Sequence, residues 1–174
     1  MDLFLDTGII FGWCYTSDDF HSICSDFIKQ YPNAGHNYYT TKYIVEKEIS
    51  ELKIARLQTR KKLIRLLENR AKILIPNIQD IQFSTHPLYK DISSQIESLL
   101  LSKRTDTKRK DHDAILLANA HIWDYSTQEL MNPHFITLDD NDIVKNRGDI
   151  RIIVVRQTGE IPRLNIELVH NMVT

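Results

Sequence analysis

The chain of 174 residues carries 22 Lys and Arg against 23 Asp and Glu, a formal charge of -1, and 42% apolar residues. That length suits one domain with a sizeable core, and the near-cancelling charge excludes an acidic disordered chain, a histone-like basic protein and a low-complexity polymer. No apolar run approaches the roughly 18 residues needed to span a membrane, and the opening Met1-Asp2-Leu3-Phe4-Leu5-Asp6 has no signal-peptide pattern. The expectation is a cytoplasmic chain with no membrane partner. Cys14 and Cys24 form no CxxC or Cys/His cluster, so neither a disulfide framework nor a structural zinc site is expected.

Asp2 to Leu5 reads as a short buried strand, because Leu3, Phe4 and Leu5 are apolar in a row and a turn follows at Thr7-Gly8. A helix capped by Ser17 is expected to about Lys29, with a stripe of Phe20, Ile23, Cys24, Phe27 and Ile28. Asn33 to Gly35 is a turn, and His36 to Thr40 a second strand. A long helix, uninterrupted by Gly or Pro, is expected from about Thr41 to Arg70, striped by Ile44, Val45, Ile49, Leu52, Ala55, Leu63, Ile64 and Leu67. Ile73 to Ile75 is a strand or extended connection, Pro87 to Ser102 a helix, and Thr105 to Lys110 a polar loop. A strongly apolar helix starts at Asp111 or Asp113 and runs through Trp123. His134 to Leu138 is a third strand, the acidic turn Asp139 to Asp142 opens a short helix ending near Gly148, and Ile150 to Val155 is the last clear strand. From Gly159 the chain adds a strand or a terminal helix. Strands alternating with helices imply an α/β fold, a parallel sheet covered on both faces, because parallel neighbours need crossovers.

The even charge total hides an uneven distribution. Before Lys29 there are five aspartates and no basic residue. Arg60, Lys61, Lys62, Arg65, Arg70 and Lys72 accompany only Glu68, and Lys103, Arg104, Lys108, Arg109 and Lys110 accompany only Asp106. Such runs are ordinarily solvated faces, or else a basic rim around an acidic centre, as a polyanionic substrate requires.

Four carboxylates occupy unusual positions. Asp6 directly follows the first strand and Asp139 the third, so both emerge at the carboxyl edge of a parallel sheet, where ligands bind; each is equally readable as a turn or cap residue. Glu48 shares a helix face with Ile44, Val45 and Leu52, which calls for a salt bridge to an arginine or for a metal. Asp113 opens the helix Ala114-Ile115-Leu116-Leu117-Ala118-Asn119-Ala120 as its N-cap, or points inward if Asp111 caps instead. Acids gathered at one edge repel, and hard oxygen ligands select Mg2+ or Mn2+. The seven histidines are scattered, so no histidine-based site is expected; P-loop, dinucleotide and nucleophile-elbow motifs are absent.

Taken in order, Phe4-Leu5-Asp6-Thr7-Gly8, Val45-Glu46-Lys47-Glu48, His112-Asp113-Ala114-Ile115 and Thr137-Leu138-Asp139-Asp140-Asn141-Asp142 resemble the PIN-domain family of metal-dependent ribonucleases. The resemblance runs from residue 2 to about 155. It implies a three-layer α/β/α sandwich with a central parallel sheet of about five strands. It also implies one domain over 1–174, with a helical elaboration around 71–110 and a C-terminal extension after about 156. On this resemblance Asp6, Glu48, Asp113 and Asp139 are the catalytic and metal-site acids, Asp142 is a fifth and Thr137 supports them. The implied activity is Mg2+- or Mn2+-dependent hydrolysis of RNA to products with a 5'-phosphate and a 3'-hydroxyl. The turn departs from the family, which commonly follows its Asp with a basic residue, an acid and an aromatic.

Lys103, Arg104, Lys108, Arg109 and Lys110, with the run from Arg60 to Lys72, are candidate contacts to RNA phosphates. Tyr38, Tyr39 and Trp13 are either stacking platforms for unpaired bases or ordinary core residues, the core being favoured for Trp13 and at least one tyrosine. The leading reading is an endoribonuclease, as the toxin of a toxin-antitoxin pair or standing alone, with an antitoxin and a homodimer as the partners this implies. The alternative is a catalytically inactive PIN-like scaffold that binds RNA or a protein. A DNA-directed 5'-nuclease is a third reading, for which the chain offers no clear helix-hairpin-helix segment.

Overall fold

A computed structural model describes residues 1–30, 37–51, 78–103 and 111–173. Strand β1 (Asp2–Leu5) leads into α1 (Thr7–Cys14) and α2 (His21–Gln30); β2 (Asn37–Thr40) leads into α3 (Lys42–Glu51). After a two-residue β3 (Gln79–Asp80) come α4 (Tyr89–Ser102) and α5 (Asp111–Ser126), then β4 (His134–Thr137). A π-helical turn (Asp140–Val144), α6 (Arg147–Thr158), β5 (Asn165–Leu168) and the short α7 (Val169–Met172) complete the chain. The expected turn at Asn33 to Gly35, the helix beyond Glu51, the strand at Ile73 to Ile75 and the loop at Thr105 to Lys110 lie outside the described residues.

The five strands form one sheet in the order β3-β2-β1-β4-β5, and every pairing is parallel. Helices cover both faces, the α/β sandwich with a five-stranded parallel sheet expected from the sequence. Side chains alternate across a strand, so Leu3 and Leu5 face one core with Ile136, Tyr38, Ile9, Trp13 and Phe27. Phe4 and Phe135 face the other, with Ile92, Ile96, Leu116, Leu117, Trp123 and Ile150. The Phe4 ring lies 5.8 Å from those of Phe135 and Trp123, and Tyr39 packs 4.5 Å from Trp123. Tyr38, Tyr39 and Trp13 are all buried, which leaves none of them as a surface on which a base could stack.

Four expectations are corrected. Thr7-Gly8, expected as a turn, is instead the start of α1. Ile150 to Val155 is helix, within α6: Ile150 and Val154 are buried while Ile152 is 50% exposed, a period of four where a strand would bury every second residue. Gly148 accordingly sits in the first turn of α6, and the short helix expected to end there is the π-helical turn alone. Ser17 is not the cap of α2, which begins at His21, behind a turn in which Asp18 accepts the Phe20 N–H at 2.9 Å. The apolar run Ile9 to Cys14 forms a helix of its own, which meets α2 closely at Gly12, where a Cβ would lie 2.9 Å from Cys24 Sγ.

Two buried acids are structural. Asp2 accepts from Asn37 Nδ2 at 2.9 Å, Tyr39 Oη at 3.2 Å and the Met131 N–H at 2.6 Å, tying β1 to β2 and to the approach of β4. Asp124 accepts the Arg163 and Leu164 N–H groups at 2.8 and 3.0 Å and pairs with the Arg163 guanidinium at 3.0 Å, which fixes the entry to β5. These contacts answer the carboxylate charges from within the fold, Asp124 Oδ1 by its ion pair rather than by a hydrogen bond.

Candidate carboxylate site

The strand order reverses between β1 and β4, because β2 and β3 lie to one side of β1 and β4 and β5 to the other. In open parallel sheets such a switch point opens a crevice at the carboxyl ends of the strands, where ligands bind. Asp6 and Asp139 stand at this crevice. Asp6 immediately follows β1 and donates its N–H to the Ile136 carbonyl of β4 at 3.0 Å, while Asp139 follows β4 by two residues.

Asp6 is buried and also holds the N-cap position of α1 without a side-chain capping bond. Its Oδ2 accepts the Thr137 hydroxyl at 2.6 Å, and Thr137 Oγ1 in turn accepts the Asp139 N–H at 3.0 Å. Burial pushes the Asp6 carboxyl up to about 7; the negative charges of Asp113 and Asp139 push the same way, and the bonds from Thr137 and the Thr7 N–H only partly oppose them. Acids from the ends of β1 and β4 and from the first turn of α5 therefore act on one another. Asp113 is the third residue of α5, behind both Asp111 and His112, so it is a first-turn acid and not the N-cap.

Asp139 also fills the cap role open to it from sequence. Its Oδ1 accepts the Asp142 N–H at 2.8 Å and starts the π-helical turn, and the Asp142 carbonyl accepts from Asn146 Nδ2 at 2.8 Å. This places Asp142 beside Asp139 through its backbone. π-Helical turns are rare and recur at functional sites; here the turn carries the chain from Asp139 into α6.

Glu48 lies on α3, part-buried, with His112 Nδ1 3.5 Å from its Oε1; His112 Nε2 is 3.9 Å from Asp111 Oδ2. Among the described residues a histidine thus stands within ion-pair distance of Glu48, where no histidine-based site was expected. The available signal was His112 standing next to Asp113. Among the described residues no three His, Cys, Asp or Glu side chains are gathered closely enough to hold a metal ion as they stand. Lys103 is half exposed and 3.6 Å from Asp149; Arg104, Lys108, Arg109 and Lys110, like the run from Arg60 to Lys72, lie outside the described residues.

No family model matches the chain, and no curated protein does. Among solved structures, the crystal structure of VapBC2 from Rickettsia felis bound to a DNA fragment from their promoter is similar, with a TM-score of 0.49 and 14% identity over 97% of this chain and 98% of that chain. Among the described residues no helix is long and apolar enough to cross a membrane.

Proposed function

We propose that the chain is a Mg2+- or Mn2+-dependent ribonuclease, endonucleolytic on single-stranded or structured RNA, acting as one unit over residues 1–174. The observation that carries this is the buried Asp6 at the β1/β4 switch point, held by Thr137, its carboxyl raised first by burial and then by the charges of Asp113 and Asp139. Asp2 is answered by three donors, whereas the bonds Asp6 accepts from Thr137 and the Thr7 N–H only partly offset its burial and the charges of other acids. Asp6 faces other acids, and an all-oxygen donor set suits a hard divalent cation.

Asp6, Glu48, Asp113 and Asp139 would hold the ion, with Asp142 as a fifth acid. When bound, the ion supplies Lewis acidity toward a phosphate oxygen and lowers the pKa of a water. The chain's own part is positional. Thr137 fixes the Asp6 carboxylate, Asp139 is fixed by its cap bond to Asp142, and a carboxylate of the group takes the attacking water's proton. The water oxygen bonds to phosphorus as the P–O3' bond breaks and the 3'-oxygen is protonated, leaving a 5'-phosphate and a 3'-hydroxyl. Lys103, Arg104, Lys108, Arg109 and Lys110 would hold flanking phosphates. On the toxin reading an antitoxin protein covers this site, and a homodimer would lengthen the basic surface.

The test is cleavage of matched RNA and DNA oligonucleotides by wild type, Asp6→Asn and Asp113→Asn in Mn2+. The proposal expects RNA cleavage that each substitution lowers by about 100-fold or more while the circular dichroism spectrum stays unchanged. Full activity in both variants would remove these acids from the reaction. RNA binding with no metal-dependent turnover above a variant lacking all four acids would establish the scaffold reading instead.

A further inference from the structure

A second polar cleft lies between α6 and the edge strand β5. His121, in the middle of α5, is 2% exposed, and among the described residues neither ring nitrogen has a hydrogen-bond partner. An imidazole sealed in this way forfeits the bonds both nitrogens make in water, a cost that folds ordinarily avoid. The ring lines two cavities at once. One, of 430 Å³, borders Asp124 and Arg163, whose charges are spent on each other and on the entry to β5. The other, of 300 Å³, is lined by His121, Arg147, Arg151, Asn165, Ile166 and Glu167, with Gly148 and Leu164 beside them.

In the second cavity the charges are not spent. Arg147 and Arg151 stand four apart on α6 and so share a helix face. Both are exposed, and among the described residues neither has a carboxylate within ion-pair distance. The Arg151 charge reaches the buried ring, where it adds to burial in pushing His121 down to about 4. His121 is therefore neutral at pH 7, with one N–H to donate and one nitrogen to accept. Glu167 completes the wall and accepts from Asn171 Nδ2 at 3.4 Å.

We infer that the cleft formed by His121, Arg147, Arg151, Asn165 and Glu167 binds the phosphate of a nucleotide. Two guanidinium groups from α6 line the cleft, with the His121 ring of α5 at its floor, and a paired cationic wall of this kind suits a phosphate, with its several oxygens, better than a single carboxylate. Glu167 and Asn165 offer acceptors suited to the hydroxyls of an attached sugar. The phosphate belongs either to a free mononucleotide or to an RNA chain. In the second case α6 leads it toward the carboxylates, since Arg147 follows Asn146, the residue bonded to Asp142. The cleft binds whether or not the acids are catalytic.

The test follows the imidazole resonances of His121 by NMR on the intact chain in EDTA, which keeps the carboxylate site free of metal. The probes are inorganic phosphate, AMP, a short single-stranded RNA and, as the carboxylate control, acetate. A saturable shift with AMP places a free nucleotide in the cleft, and a shift with RNA but not AMP places an RNA chain there. Arg147→Gln with Arg151→Gln, both at exposed positions, is expected to weaken that binding about tenfold or more. No shift with any phosphate probe, a shift with acetate alone, or binding undiminished in the double variant would overturn the inference. Because metal is absent throughout, RNase activity that fails while this binding persists, or the converse, separates the two proposals.

Discussion

At Asp6, burial and the charges of two other acids act in the same direction, so in the metal-free protein its proton is held to about pH 7, against an ordinary value of 3.8. Between those values the folded chain keeps a proton that the unfolded chain has lost. Asp6 therefore lowers stability as pH rises through that window, and the loss is complete above it. His121 has the opposite slope: at about 4 in the fold against 6.5 free, it lowers stability as pH falls from about 6.5. Asp6→Asn, which can still accept the Thr137 hydroxyl, is expected to stabilise the metal-free protein at pH 8 by about 1 to 3 kcal/mol. It should also make stability climb more steeply between pH 4.5 and 6.5, where His121 then acts without its counterweight. Urea unfolding of both proteins at several pH values checks this; an equal or lower midpoint for the variant at pH 8 would mean that Asp6 is not strained. Asp6 and Asp139 were legible because an acid directly after an apolar strand declares its edge. The Thr137 bridge between them, with partners 131 and 2 residues away, and the pairing of Glu48 with His112 depend on tertiary approach that no local pattern carries.

Among the elements, those with a clear stripe or a short apolar run were readable: β1, β2, β4, α4 and α5 fall within a few residues of their expected bounds. α6 was misread because Ile150, Ile152, Ile153, Val154 and Val155 are β-branched, and such residues favour strands when pattern is ignored. Tertiary burial decides otherwise, since only Ile150 and Val154 are sealed. The distinction can be measured, because a strand would place 150, 152 and 154 on one face. Ile150→Ala is expected to cost about 2 to 4 kcal/mol and Ile152→Lys less than about 0.5 kcal/mol. Comparable losses at both positions in chemical denaturation would contradict the helix. Gly159 ends α6 at φ 75°, a left-handed cap that glycine adopts without strain, and the turn it makes allows residues 165–168 to become the fifth strand.

For the whole molecule, alternation of strands and helices announces a parallel sheet, but the order of its strands is set by crossovers spanning many residues and by the packing of two cores. That order places β1 beside β4, and with it Asp6 beside Thr137 and Asp139. The near-neutral chain thereby separates into an acidic crevice at the switch point and a cleft with two unspent arginines between α6 and β5. On the proposed function a divalent ion would relieve the crevice, and so the most direct measurement is Mn2+ binding, read as loss of the free-ion EPR signal at pH 8. Wild type should take up Mn2+ saturably and gain thermal stability from it, while Asp6→Asn, folded and at least as stable without metal, should bind it about tenfold or more weakly. Equal Mn2+ uptake by both proteins, or none by wild type, would contradict the account of this crevice as a cation site.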